Sequence, residues 1–124
     1  MKYVLMFVDR PDLQTSVPPE HAEKVYAQMY EWFGEHQAAG HIAEGGAELQ
    51  PPTTATTVRS GSNGSGPVVV DGPFSEAKEV IGGFTIIEAS DLDGALGIAR
   101  TWPGLTGPGV SVEVRPIVDH SSDM

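Results

Sequence analysis

Two short segments of the chain are apolar on both of their alternating faces. In residues 3–8 and in residues 84–89, each of the two sets of alternate side chains is apolar. Side chains of a β-strand point alternately to the two faces of a sheet, so a strand of this kind has to be covered on both sides. We therefore predict that both segments are central strands of a sheet, which excludes any fold in which one face of the sheet centre meets water.

Helices and further strands surround these two segments. A helix is predicted from about Pro18 to Ala39, because apolar residues recur at helical spacing and Gly40 is suited to end it. A second helix is predicted after the N-cap candidates Ser90 and Asp91, and it stops at Pro103. Mixed strands are predicted at residues 42–49 and 110–115, a hairpin at 54–60 and 68–70, and a loop at 9–17.

This order of elements is β-α-β-hairpin-β-α-β. It predicts an α+β fold, a ferredoxin-like βαββαβ sandwich with an inserted β-hairpin. We expect a single domain over residues 1–118 and a frayed C-terminal tail over residues 119–124.

Two helices can cover only one face of such a sheet, although the central strands are apolar on both. We expect a homodimer in which the sheets face each other, a dimeric α/β barrel. The alternative is that the hairpin of residues 54–70 folds across the second face of its own sheet.

Charge and cysteine content exclude several classes of function. The chain has 124 residues, with 7 Lys and Arg against 17 Asp and Glu, a formal net charge of -10. Nucleic acids and anionic membranes require clustered cations, so neither is an expected partner. There is no cysteine, which rules out disulfides and thiolate catalysis. No apolar run approaches the roughly 20 residues of a membrane span, and we expect a cytoplasmic protein.

Several motifs resemble one protein family. Residues 71–74 read Asp-Gly-Pro-Phe, Gly82-Gly83-Phe84 follows, and residues 51–59 and 112–117 are similar to the same group. The chain resembles the YCII-related proteins, in the subgroup marked by the DGPF motif. The resemblance implies a dimeric ferredoxin-like fold. Some members resemble small enzymes proposed to work through a His-Asp pair, and some are encoded near sigma factors.

The resemblance suggests His21 and Asp71 as catalytic candidates. His21, at the predicted start of the first helix, matches the histidine of the pair, whereas the family's aspartate falls at Trp102, which cannot accept a proton. Asp71 is the substitute that this chain offers. A neutral imidazole can act as a general base with a carboxylate that orients it. The alternatives are a solvated histidine and an aspartate that only stabilises its turn.

Charged residues near the motif and on the last strand are candidates for substrate binding. Glu113 and Arg115 share one strand face, opposite Val112 and Val114, and an arginine can hold a carboxylate ligand bidentately. The alternative is an interface salt bridge. The full set of binding candidates is Arg59, Lys78, Glu79, Glu113 and Arg115. His36 and His41 have no third ligand at clear spacing, so neither a metal nor a cofactor is expected.

Two functions remain open at this point. The first is a cofactor-free enzyme that performs general acid/base chemistry on a small organic acid or ring compound in a dimer cleft. The second is a non-catalytic dimeric module that binds a small ligand or a regulatory partner, with a link to sigma-factor regulation.

Overall fold

The computed structural model describes residues 1–14, 17–72 and 79–121. The elements along the chain are β1 (Lys2–Asp9), α1 (Pro11–Gln14), α2 (Pro19–Ala38), β2 (Ile42–Glu48), β3 (Thr56–Arg59), β4 (Val68–Asp71), β5 (Val80–Glu88), α3 (Leu92–Ala99) and β6 (Ser111–Pro116). Single 3₁₀ turns lie at Pro52–Thr54 and Pro103–Thr106.

Four of the strands form one antiparallel sheet in the order β2-β5-β1-β6. The two central strands, β1 and β5, are those predicted from their two apolar faces. With helices between β1 and β2 and between β5 and β6, this is the predicted ferredoxin-like arrangement. The fold prediction is confirmed.

The core lies between this sheet and the helices. Tyr3, Leu5 and Phe7 of β1 point to the helix side and are buried, as is Ile87 of β5. Trp32 of α2 and residues from α3 onward complete the core, namely Ala95, Ile98, Ala99 and Trp102. The strand period of two thus gives β1 one fully buried face, while Val4 and Met6 on the other face stay partly exposed.

The helix ends follow their local signals. Pro19 occupies the first turn of α2, where the missing N–H costs no hydrogen bond. Asp91 caps α3, because its carboxylate accepts the backbone N–H of Gly94 at 2.8 Å.

Two local predictions differ from the structure. The segment 9–17, predicted as a loop, contains the short helix α1. β5 begins at Val80 rather than Phe84, because Val80 and Ile81 pair with Asp9 and Val8 of β1. The pairing register shifts between Phe7 and Val8, where Gly82 is an extra residue on β5. Gly82 and Gly83 interrupt the apolar alternation, so the pattern did not predict this first part of β5.

The inserted hairpin forms a sheet of its own. β3 and β4 pair with each other, and Gly72 donates its N–H to Ala55 at 2.8 Å to close the ladder. Val58 and Val69 lie opposite one another, and each is 66% exposed. This face of the hairpin therefore covers no apolar surface within the described part of the chain. Nor do the described residues include a helix long and apolar enough to cross a membrane.

Candidate functional site

A cavity of about 470 Å³ lies between α2 and the ends of β1, β2 and β5. Its walls are largely aromatic, because six aromatic residues line it: Phe7, Tyr26, Tyr30, Phe33, Phe84 and Trp102. Ligand pockets of small proteins are usually concave, apolar and within this range of volume.

The spacing of residues along two elements builds these walls. Tyr26, Met29, Tyr30 and Phe33 recur at helical intervals, so α2 presents them on one face. The rings hold one another: Phe7 stacks on Trp102 with centroids 4.0 Å apart, and Tyr26 meets Tyr30 edge to face at 5.2 Å. The ring positions are set by packing rather than by a ligand.

Glycines keep the sheet side of the cavity free of side chains. A Cβ on Gly83 would lie 2.8 Å from the carbonyl oxygen of Ala47, and one on Gly46 would collide with the carbonyl of Phe84. A Cβ on Gly82 would lie 2.6 Å from Oδ2 of Asp9. The close approach of β2 to β5 and the space for the Asp9 carboxylate both depend on these glycines.

Asp9 is one of two carboxyl groups that line this cavity. It is the last residue of β1, on the same side of the strand as Phe7, and it is half-buried. Burial raises the pKa of its carboxyl group above the ordinary value of 3.8. Within the described part of the chain, no side chain donates a hydrogen bond to it. A carboxyl group with a raised pKa keeps its proton to a higher pH than an exposed aspartate does, and such groups serve as general acids and bases.

A second carboxylate, Glu48, lies at the cavity and already has a donor. The Tyr26 hydroxyl donates to Oε2 of Glu48 at 2.5 Å. This hydrogen bond, followed by one with Tyr30, raises the pKa of Tyr26 above its ordinary value of 10.0. Tyr26 therefore stays protonated and fixes the Glu48 carboxylate on the β2 side of the cavity.

The predicted catalytic pair lies elsewhere on the surface. His21 is exposed in the first turn of α2, and Asp71 is exposed at the end of β4, opposite Thr56. Neither residue lines the aromatic cavity. Their role stays a prediction.

The binding candidates are spread over several elements. Arg59 is exposed at the end of β3, Glu79 is exposed just before β5, and Lys78 lies outside the described residues. Glu113 and Arg115 form an exposed ion pair of 2.7 Å on the helix-free face of β6, while Val112 and Val114 pack toward the core. The facial assignment of this strand is as predicted, and a role in ligand binding stays a prediction.

His36 and His41 meet at the end of α2. Their Nδ1 atoms are 2.8 Å apart, and His36 Nε2 is 3.3 Å from the Thr101 hydroxyl. Burial and the neighbouring His41 lower the pKa of His36. The turn at Gly40, with φ of 78°, brings the two rings together. No group of three or more metal-ligating side chains assembles among the described residues.

The sequence-based reasoning did not identify Asp9 as a site residue. The signal was present, because the alternation Tyr3, Leu5, Phe7 continues to position 9 and places a carboxyl group on the apolar face. The cavity itself had no local signal, since residues from five separate segments build it.

The fold and the cavity define a small ferredoxin-like α+β domain with a candidate site between helix and sheet. The model of the YCII-related domain matches residues 1–120, and the chain belongs to this family. An uncharacterised protein of Rhizobium meliloti (strain 1021) is 31% identical over 117 residues, covering 94% of this chain and 92% of its own length. The match is to the YCII-related domain as a whole, so the DGPF subgroup stays a prediction.

A solved structure shares the fold along the whole chain. It is the 5-chloro-2-hydroxyhydroquinone dehydrochlorinase of Burkholderia phenoliruptrix AC1100 in complex with 2,5-dihydroxybenzoquinone. The TM-score is 0.53, the sequence identity is 18%, and the match covers 99% of this chain and 98% of that one. At this identity the likeness concerns the fold.

Proposed function

We propose that this protein is a small enzyme that performs general acid–base chemistry on a small organic ring compound bound in the aromatic cavity. Asp9 is the group that transfers the proton. The observation that carries the proposal is a half-buried carboxyl group with a raised pKa, without a donor among the described side chains, inside a ring-lined cavity.

The walls of the cavity favour a flat, apolar ring as substrate. Aromatic pairs prefer stacked or edge-to-face contact, and the exposed rings of Tyr26 and Tyr30 at the cavity are available for such contact. The solved neighbour is named for a reaction on a ring compound, which is consistent with this proposal.

The position of Trp102 adds support from within the chain. The resemblance to the family expects a proton-transferring aspartate at this position, and Trp102 lines the same cavity as Asp9. A carboxyl group is therefore present in this region of the fold, supplied by β1 instead of the segment after α3.

Proton transfer explains the chemistry without a further reactant. A protonated Asp9 donates to an oxygen or carbon of the ring substrate, and the carboxylate that remains takes a proton from a neighbouring carbon of the same substrate, which completes a tautomerisation. No electrons leave the substrate, so the predicted cofactor-free mechanism is sufficient for this step.

We also propose that the helix-free face of the sheet pairs with a second copy of the chain. Val4 and Met6 on this face are apolar and partly exposed, and Val58 and Val69 of the hairpin are exposed. His21 and Asp71 would then contribute to a cleft between two chains, as the resemblance implies. The expected cytoplasmic location is retained with this proposal.

The experiment is hydrogen exchange in D₂O, because it detects proton transfer to carbon without knowledge of the full reaction. The wild type is incubated with a panel of hydroxylated quinones and enolisable ring ketones, and exchange is followed by NMR. We expect Asp9→Asn to lower the exchange rate by about 100-fold or more, the usual contribution of a general acid or base. Asp93→Asn, an exposed carboxylate on α3, is the matched control and should retain the rate.

The same assay separates the two candidate sites. If His21→Ala abolishes exchange and Asp9→Asn does not, the chemistry belongs to the His21–Asp71 pair. If compounds bind in the cavity and none exchanges faster than in buffer, the enzyme proposal is wrong. The alternative would then apply, a ligand-binding or regulatory module, which the exposure of His21 and Asp71 in the single chain favours.

A further inference from the structure

The polar side chains that line the cavity are either acidic or neutral. Asp9 and Glu48 are carboxylates, Tyr26 and Tyr30 are phenols, and none of the described residues that line the cavity is Lys, Arg or His. An anionic ligand would meet two acids without a counter-charge, in a protein whose net charge is -10. The cavity thus disfavours organic acids, one of the two substrate classes expected from the sequence.

The two carboxylates, Asp9 and Glu48, differ in whether a side chain donates a hydrogen bond to them. Glu48 accepts the Tyr26 hydroxyl at 2.5 Å, whereas no described side chain donates to Asp9. A half-buried carboxylate without a donor is unfavourable, and a charged N–H donor satisfies it better than a neutral O–H does.

The register of the sheet places the two acids on opposite sides of β5. Asp9 pairs across to Val80, and Glu48 pairs across to Gly83 from the other neighbouring strand. A ligand that lies over the glycines between them therefore has one unsatisfied carboxylate at one end and a hydrogen-bonded carboxylate at the other.

The aromatic walls favour the same charge. The faces of Trp and Tyr rings carry negative electrostatic potential and attract an ammonium group within about 6 Å. Tyr26 and Tyr30 line the same cavity as Asp9 and are exposed enough to present such ring surface to a ligand. Ring stacking and attraction of a cation are thus available in one cavity.

From these contacts we infer that the cavity selects a one-ring organic amine, bound as its ammonium ion with the N–H groups on the Asp9 carboxylate. This inference rests on the site of the proposed function and names its substrate class. Binding of the ammonium ion favours the ionised carboxylate, so Asp9 would enter the reaction as the base.

Three probes of one shape test the charge preference. Benzylamine, benzyl alcohol and benzoate are titrated into the wild type near pH 7 and followed by NMR of the protein. We expect benzylamine to bind at least 10-fold more tightly than benzyl alcohol, and benzoate to bind most weakly. Benzoate affinity equal to that of benzylamine, or no binding of any probe at millimolar concentration, would overturn the inference.

The variant Asp9→Asn tests whether the Asp9 carboxylate is the group that binds the ammonium ion. The variant should lose at least 10-fold in benzylamine affinity and less than 2-fold for benzyl alcohol, whose binding also shows that the cavity is intact. Asp93→Asn changes the net charge equally and should leave both affinities unchanged. Unaltered benzylamine binding by Asp9→Asn contradicts the inference.

These results are distinguishable from failure of the enzyme proposal. Proton exchange with neutral rings and no preference for benzylamine would keep the enzyme and remove its amine specificity. A preference for benzylamine that depends on Asp9, without exchange of any bound compound, would leave a binding module for ring amines.

Discussion

Asp9 places a carboxyl group where apolar side chains would be more stable. Its pKa is raised in the folded chain, so the folded state binds this proton more tightly than the unfolded state does. Protonation of Asp9 therefore contributes its full stabilisation of the folded state below the ordinary pKa of 3.8, and this contribution is lost as the pH rises through the pKa of the folded state.

The raised pKa of Asp9 leads to a prediction for thermal stability. We expect Asp9→Asn to melt higher than the wild type at pH 7, by roughly 1–3 °C given its half-exposed position, and to lose this advantage below about pH 4. Calorimetry across this range checks it, with Asp93→Asn as the control. A variant less stable than the wild type at pH 7 would show that Asp9 has a structural role.

For His36 we expect the opposite dependence of folding stability on pH. Its folded pKa lies below the ordinary value of 6.5, because of burial and of His41, so the unfolded state binds the proton more readily. Stability should be complete above about pH 7 and should decline as the pH falls through the lowered value. In thermal melts, His36→Asn should flatten this decline relative to the wild type. Exposed His21→Asn should not, and an unchanged slope in His36→Asn argues against the assignment.

Residue roles were harder to predict than residue positions. The four predicted strands of the sheet lie where their apolar patterns place them, and both tryptophans, Trp32 and Trp102, are buried in the core. Asp9 was not identified, since a charged residue at the end of an apolar strand usually marks the start of a loop. Its environment comes from α2 and β5, which are distant along the chain.

Among the elements, β2 and β5 depend most on single glycines. Gly46 has a φ of 73°, and a Cβ there would collide with the Phe84 carbonyl, whereas a Cβ on Gly45 meets no atom within 4 Å. Two adjacent glycines in one strand thus have different constraints, one set by backbone conformation and close approach and the other by neither.

The pair Gly45→Ala and Gly46→Ala tests this difference. We expect Gly46→Ala to lower the free energy of unfolding by about 2–4 kcal/mol, from the left-handed backbone and the clash with a rigid carbonyl. Gly45→Ala should change it by less than about 1 kcal/mol. Urea denaturation measures both, and equal losses would mean that β2 and β5 lie farther apart than described.

Element prediction succeeded where the local pattern was continuous. The helix predicted at about 18–39 is α2 at Pro19–Ala38, because its apolar face and its proline and glycine limits agree. The start of β5 was missed, because Gly82 and Gly83 interrupt the apolar alternation that identifies a strand. The backbone pairing to β1 that extends β5 to Val80 is a tertiary contact, which no local window contains.

For the whole molecule, the topology was predictable because the βαββαβ element order favours a split βαβ sandwich, whose two central strands are the two apolar segments. The sequence pattern did not decide whether the hairpin or a second copy of the chain covers the helix-free face of the sheet. Val4 and Met6 remain partly exposed there, and the hairpin pairs with itself rather than with the four-stranded sheet in the part of the chain described.

Met6→Lys tests whether a second copy covers that face. Met6 pairs across to Glu113 of β6, so a lysine can find an opposite charge in the single chain but introduces a cation at the centre of a sheet-to-sheet contact. Light scattering should give the wild type twice the 13.1 kDa of one chain and the variant a single chain's mass. Gln37→Lys, with the same added charge on exposed α2, should remain dimeric.

The activity of this variant distinguishes the two candidate sites. The cavity at Asp9 is built from one chain, so proton exchange should persist in a folded Met6→Lys monomer, whereas a cleft at His21 and Asp71 that two chains share should lose it. A wild type of single-chain mass at micromolar concentration would remove the dimer, and with it the shared cleft, while the Asp9 site would be unaffected.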